Sequence, residues 1–200
     1  MTASAISDVL AKIVPSEGTV LEVASGDGER ILHFARTFTH LTWQPSERDP
    51  QVVTSLAKIC EQAALPNVAP AIELDVLMQP WSIAHASAVV CADFAHLVPF
   101  EQVAALFGGG ARVLAAGAPL LLAGPFKIHG KYPAKDLEDL DQTLRARSPE
   151  LGLRDIRELT VAGTRSGLGL EHVVAMPGAR VGLVFRRRAL LPPTGQFKVG

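Results

Sequence analysis

LEVASGDGER, residues 21–30, is the stretch whose reading decides the fold. With Thr19 and Val20 ahead of it, its first half reads as a buried strand. It runs at once into a turn carrying Gly26 and Gly28, and then into a helix with Ile31, Phe34, Ala35 and Phe38 at i, i+3, i+4 and i+7. Glycine in such a turn lets the backbone take positive φ and lets a ligand approach without meeting a Cβ. The pattern then repeats. LTWQPS (41–46) is a second strand. Asp49 and Pro50 suit the cap and first turn of a helix carrying Val52, Leu56, Ile59 and Ala63. PAIELD (70–75), SAVVCADF (87–94) and PLLLAG (119–124) are further strands, the last two almost wholly apolar, as strands buried on both faces are. Upstream, Ile6, Val9, Leu10 and Ile13 predict a helix over 5–14. Downstream of Phe100, residues 100–107 and 111–116 predict one helix interrupted by Gly108, Gly109 and Gly110, or two short ones. Leu137, Leu140 and Leu144 mark a helix; Ile156, Leu159 and Gly163 mark another. LGLEHVVAMP and RVGLVFRRR read as a terminal hairpin at the sheet edge. Alternating strands and helices imply right-handed crossovers. The fold expected is α/β: a doubly wound, seven-stranded, mostly parallel sheet with a C-terminal antiparallel hairpin, a single domain over 1–200.

Composition narrows the function classes. Lys+Arg 19 against Asp+Glu 20 gives a formal net charge of −1, which removes the electrostatic case for nucleic acid or an anionic membrane surface as the main partner. Arg186, Arg187 and Arg188 read as a solvated strand end. Cys60 and Cys91 are too few for a disulfide framework. The N-terminus has no signal-peptide pattern, and the most apolar stretch, 111–126, is too short to span a bilayer. A cytoplasmic protein is the expectation. The six histidines and two cysteines show no metal-ligand spacing, and no G-x-S-x-G elbow supports a hydrolase.

The strand ends carry the chemistry. Glu22, Glu47, Asp75 and Asp93 each stand at or near the carboxyl end of one of four consecutive strands, where open α/β sheets bind ligands. A carboxylate at the end of the second strand can accept both hydroxyls of a ribose. The turn lacks the third glycine of a dinucleotide site, and Asp27 and Glu29 would repel pyrophosphate, which argues against a nicotinamide-dependent oxidoreductase. Such a rim suits a cationic or sugar-bearing ligand; the alternative is a tight βα turn with carboxylates serving as caps or solvated ends. His96, after the fourth strand, is a candidate general base, with backbone hydrogen bonding in a loop as the alternative. His129 and Tyr132, in the loop after the fifth strand, could form a lid; Phe126 and Tyr132 could equally be packing residues.

LEVASGDGE resembles motif I of the class I S-adenosylmethionine-dependent methyltransferases, whose fold is Rossmann-like. Taken with LTWQPSERDP, FAHLVPF, LLLAGPFKIHGKY, LRARSPELGLRDI and the turn at Met176 and Pro177, the chain is similar to the methyltransferase-like protein 26 family, a domain of unknown function. The resemblance implies S-adenosylmethionine as cofactor. It places Glu22, Ser25, Gly26 and Gly28 at the methionine end, Glu47 at the ribose, Asp75 at the adenine, Asp93 beside the cofactor on the substrate side, and Ala24, Arg48 and Val76 among the cofactor-binding residues. Asp93 and His96 are then the catalytic candidates, and Phe126, His129 and Tyr132 the substrate or lid candidates. The implied partner is a small-molecule methyl acceptor, and the hairpin edge offers a place where two copies could pair. Asp93 stands where the family carries Asn, Lys135 and Asp136 replace a Ser-Asn pair, and Gly178, Ala179 and Arg180 replace Ala-Asn-Asn. These departures keep a second reading open: a non-catalytic methyltransferase-fold protein acting as a binding or partner module.

Overall fold

A computed structural model describes residues 2–189; the C-terminal part of the single-domain expectation, 190–200, lies outside the described residues. In chain order the elements are α1 (Ala3–Leu10), β1 (Thr19–Val23), α2 (Glu29–Thr37), β2 (Thr42–Glu47), α3 (Pro50–Ala63), β3 (Ile72–Glu73), β4 (Ala88–Ala92), α4 (Phe100–Val113), β5 (Pro119–Gly124), α5 (Lys135–Arg147), α6 (Ile156–Arg165), β6 (Leu168–Met176) and β7 (Arg180–Arg187). The sheet runs β3-β2-β1-β4-β5-β7-β6. The first five strands are mutually parallel; β7 pairs antiparallel with β5, and β6 antiparallel with β7. The hairpin therefore joins the sheet through its second strand and leaves β6 at the edge.

Two-residue alternation builds both faces. Leu21, Val23, Val89, Cys91, Leu120 and Leu122 face one core, closed by Val103, Phe107 and Leu159 of α4 and α6. Val20, Val90, Ala92, Leu121 and Ala123 face the other, closed by Ile6, Phe34 and Leu56 of α1, α2 and α3. Helix starts follow their local chemistry. Asp49 caps α3 by accepting from the Gln51 amide at 2.8 Å, and Asp155 with Glu158 forms a capping box on α6.

The structure corrects three boundaries. The first helix stops at Leu10 and continues to Val14 only as hydrogen-bonded turns. The strand expected over 70–75 pairs only at Ile72 and Glu73, with one isolated bridge from Val68 to Trp43. Pro70 between them has no N–H to offer a ladder, and its carbonyl is taken by the Gln44 side chain at 2.7 Å. The triple glycine does not interrupt α4, which runs unbroken from Phe100 to Val113. It serves close packing instead: a Cβ on Gly109 would overlap the Trp81 ring, and one on Gly110 would lie 2.6 Å from Leu120 Cδ1. Among the described residues no helix is long and apolar enough to cross a membrane.

Candidate functional site

The winding reverses between β1 and β4, because β2 and β3 lie on one side of β1 while β4 and β5 lie on the other. A crevice opens there, at the carboxyl ends of the strands. The residues that follow β1 and β4, Ala24 (φ 59) and Asp93 (φ 54), are both left-handed without being glycine. Such backbone costs about 1–3 kcal/mol and persists only where its surroundings enforce it. Around the first turn those surroundings are explicit. The Ser25 amide donates to the Ser46 carbonyl at 3.0 Å, and the Ser46 amide donates to Ser25 Oγ at 3.2 Å. The Gly26 amide donates to Glu47 Oε1 at 2.9 Å, and the Arg48 amide to Glu47 Oε2 at 3.0 Å. Gly26 (φ 61) has open space where a Cβ would stand, whereas a Cβ on Gly28 (φ 81) would lie 2.8 Å from Leu56 Cδ1. Gly26 thus leaves open space at the turn, and Gly28 serves the seating of α2 on α3.

A hollow of about 220 Å³ sits against this turn, lined by Val23, Ala24, Glu47, Arg48, Leu74, Asp75, Val76, Phe94, Val98 and Gln102. Five residues expected at the cofactor, Ala24, Glu47, Arg48, Asp75 and Val76, thereby meet on one wall. Glu47 still has lone pairs free for further donors, since a carboxylate accepts about four hydrogen bonds. Asp75 accepts the Leu77 amide at 2.9 Å through Oδ1 and pairs with the Arg48 guanidinium at 3.1 Å through Oδ2.

Glu22 differs from its expectation. It is wholly buried, and because Leu21 and Val23 turn toward the α4 face, its own side chain turns under α2. There Arg30 Nε donates to Glu22 Oε1 at 3.2 Å, while Arg30 Nη2 holds the Ala24 carbonyl at 3.0 Å. Glu22 Oε2 is buried with no hydrogen-bond partner. Burial pushes this carboxyl up to about 7, against the opposing pull of Arg30 and the Ser25 hydroxyl. Glu22 is therefore beneath the crevice wall, as part of its foundation.

On the other side of the crevice, the Asp93 amide donates to the Ala123 carbonyl at 2.9 Å. His96 is 7% exposed, and its Nδ1 is buried without a hydrogen-bond partner. Burial lowers its pKa from 6.5, with Asp93 pulling the opposite way and Arg180 and Arg154 adding to the fall, so the imidazole is neutral at pH 7. The loop is pinned from outside: the Gly152 amide donates to the His96 carbonyl at 3.0 Å, Arg154 Nε to Ala95 O at 3.1 Å and Arg154 Nη2 to Val98 O at 2.6 Å.

The lid candidates are not brought together. Phe126 is 1% exposed within the main core, so it is a packing residue and not a cover. His129 (φ 52) lies exposed at the turn after β5. Tyr132 is tied down, its hydroxyl donating to Asp141 Oδ2 at 2.6 Å. The same buried Asp141 accepts from the Leu153 amide at 2.6 Å and pairs with Arg145 at 3.0 Å and Lys127 at 3.2 Å. Arg30, Asp141 and Arg154 organise the site, yet sequence reasoning missed all three. Only the i, i+4 spacing of Asp141 and Arg145 was a readable signal. Among the described residues no group of three or more His, Cys, Asp or Glu could hold a metal ion.

Comparison with known proteins agrees with this architecture. The chain is similar to CalO1, described as a methyltransferase in calicheamicin biosynthesis in its SAH-bound form: 24% identity, 93% of this chain and 54% of that one, TM-score 0.74. It is similar to the mitomycin 7-O-methyltransferase MmcR: 17% identity, 92% and 53%, TM-score 0.78. It is also similar to a putative sarcosine dimethylglycine methyltransferase from Galdieria sulphuraria: 14% identity, 93% and 85%, TM-score 0.72. The chain spans about half the length of the first two. At these identities the likeness establishes the fold: a Rossmann-like class I methyltransferase sheet with its C-terminal antiparallel strand pair. The family described as "Protein of unknown function (DUF938)" matches residues 2–187, nearly the whole chain, and the chain belongs to that family.

Proposed function

We propose that this chain binds S-adenosylmethionine in the strand-end crevice and transfers its methyl group to a small-molecule acceptor, as a member of the methyltransferase-like protein 26 group. One observation carries the reading: Glu47 and Asp75 share a hollow with the Ala24 turn, at the carboxyl edge beside the winding reversal. Those residues fit an adenosyl group bearing a cationic centre. Glu47 would take the ribose hydroxyls through its remaining lone pairs, and Asp75 with Val76 would meet the adenine. Ala24, Ser25, Gly26 and Gly28 would shape the methionine end. Arg48 would close the ribose side, and Glu22 would support the turn from below. The cofactor supplies an activated methyl on a sulfonium.

The chain's own residues do the remaining work. Asp93 borders the acceptor and His96, kept neutral by its burial, would take the acceptor's proton on its imidazole. Gly152 and Arg154 hold the His96 loop in place, and alignment of acceptor and methyl supplies much of the rate in such transfers.

Calorimetry with S-adenosylmethionine and S-adenosylhomocysteine tests the reading. Binding of both is expected. Glu47→Ala should weaken S-adenosylhomocysteine by about 1–3 kcal/mol, because it removes the ribose acceptor and frees the Gly26 amide. No heat with either compound would overturn the proposal. Binding without turnover across a broad acceptor panel would favour a non-catalytic module.

A further inference from the structure

A second hollow, of about 640 Å³, lies between α4 and α6 and away from the Glu47 crevice. Its α6 wall carries Arg157, Val161 and Arg165 at i, i+4 and i+8, with Ala162 beside them. Its α4 wall carries Phe100 and Ala104, again one helical turn apart. Val161 is 50% exposed and Phe100 36%. Arg154 closes the end nearest Arg157, with its guanidinium carbon 5.8 Å from the centre of the Phe100 ring.

Charge gathers at this hollow. Among the described residues Arg154, Arg157 and Arg165 all line it and none makes an ion pair, a property shared with Arg36, Arg112, Arg147, Arg187 and Arg188 elsewhere, whereas Arg30, Arg48, Arg145, Arg180 and Arg186 each pair with a carboxylate. Arg154 is 8% exposed, and its printed partners are the carbonyls of Ala95, Val98 and Glu150, which satisfy donors without neutralising the charge. Glu158 and Asp141 offset that charge only at longer range, and neither makes an ion pair with it. The single acid on the wall, Glu158, is engaged in the capping box with the Asp155 amide.

We propose that the α4–α6 hollow binds a monomeric organic carboxylate with an apolar body. The acid group sits at the Arg154–Arg157 end, and the apolar body runs along Phe100, Ala104, Val161 and Ala162 toward Arg165. From Arg157 to Arg165 the helix advances on the order of 12 Å, which suits a body of roughly ten carbons. Apart from Arg154, whose guanidinium also holds the His96 loop, the hollow shares no residue with the proposed methyl-transfer site.

Calorimetry on the full chain with decanoate, decanol and decyltrimethylammonium tests the proposal. Decanoate should bind about ten-fold more tightly than decanol, and the cation more weakly than either. Arg157→Glu should abolish the preference for decanoate, Arg165→Glu should change it by less than about three-fold, and Val161→Glu should weaken both decanoate and decanol. All three positions are exposed, and an unchanged thermal unfolding curve checks that each variant is folded. Equal affinity for decanoate and decanol, no decanoate binding by the parent chain, or an unchanged preference in Arg157→Glu would each overturn the proposal. So would binding of an acidic amphipathic peptide where decanoate does not bind.

Discussion

Replacing Asp141 by Asn should loosen the segments on either side of α5. The carboxylate is 1% exposed and receives the Tyr132 hydroxyl, the Arg145 and Lys127 cations and the Leu153 amide. Burial acts to raise its pKa, but these four donors outweigh it and hold the carboxyl at about 2, below the ordinary 3.8. That difference corresponds to roughly 2–3 kcal/mol of folding free energy. The sign follows from the depressed value. The contribution is complete above the unfolded-state pKa of 3.8 and disappears as pH falls through about 2. An Asn amide keeps one acceptor but turns its NH2 toward groups that are themselves donors, leaving two cations without a counter-charge. Urea unfolding at pH 7 should therefore show a loss of about 2–4 kcal/mol with an unchanged slope, and a melting temperature lower by roughly 5–10 °C. At pH 2 the two proteins should differ far less. A loss under about 0.5 kcal/mol at pH 7, or one that stays constant down to pH 2, would refute the role assigned to this carboxylate.

Two further substitutions test the packing of α4 against each other. Gly109→Ala should destabilise by about 1–3 kcal/mol in a thermal melt, because its Cβ enters the Trp81 ring. Gly108→Ala meets only the end of Arg112 at 3.8 Å and should stabilise by about 0.5–1 kcal/mol through helix propensity. For the chemistry, His96→Asn should lower turnover by about 10²–10⁴-fold while leaving S-adenosylhomocysteine affinity, read by calorimetry, within about two-fold. The acid limb of the pH–rate profile should lie below 6.5, because burial depresses the imidazole; a limb above that value would place the base elsewhere.

The sheet was legible because its strands are short apolar runs separated by helices with clean 3.6-residue periodicity, and both signals are local. The strand-end acids were legible for the same reason: Glu47, Asp75 and Asp93 are fixed by where each strand stops. Glu22 shows the limit. One residue of alternation sends its side chain under α2 to Arg30, and sequence position alone did not reveal which face would receive it. Of the two readings open for Phe126 the structure shows packing, because an apolar residue two positions beyond a buried strand has a core within reach.

Read by itself, the sequence determined the order of elements, the parallel sheet, the terminal hairpin, and the cluster of acids and glycines at one edge. Those properties depend on neighbours within a few residues. Tertiary structure alone decided that Gly109 of α4 is a contact surface for Trp81 and Gly110 one for Leu120, that Asp141 gathers Tyr132, Lys127 and the Leu153 amide, and that Arg154 spans to Ala95 and Val98. It also placed three arginines that make no ion pair around one hollow. The Gly109 and Arg154 contacts join residues far apart in the chain, where the physics is burial and close approach, and no local pattern of residue types encodes which distant partner a side chain will meet.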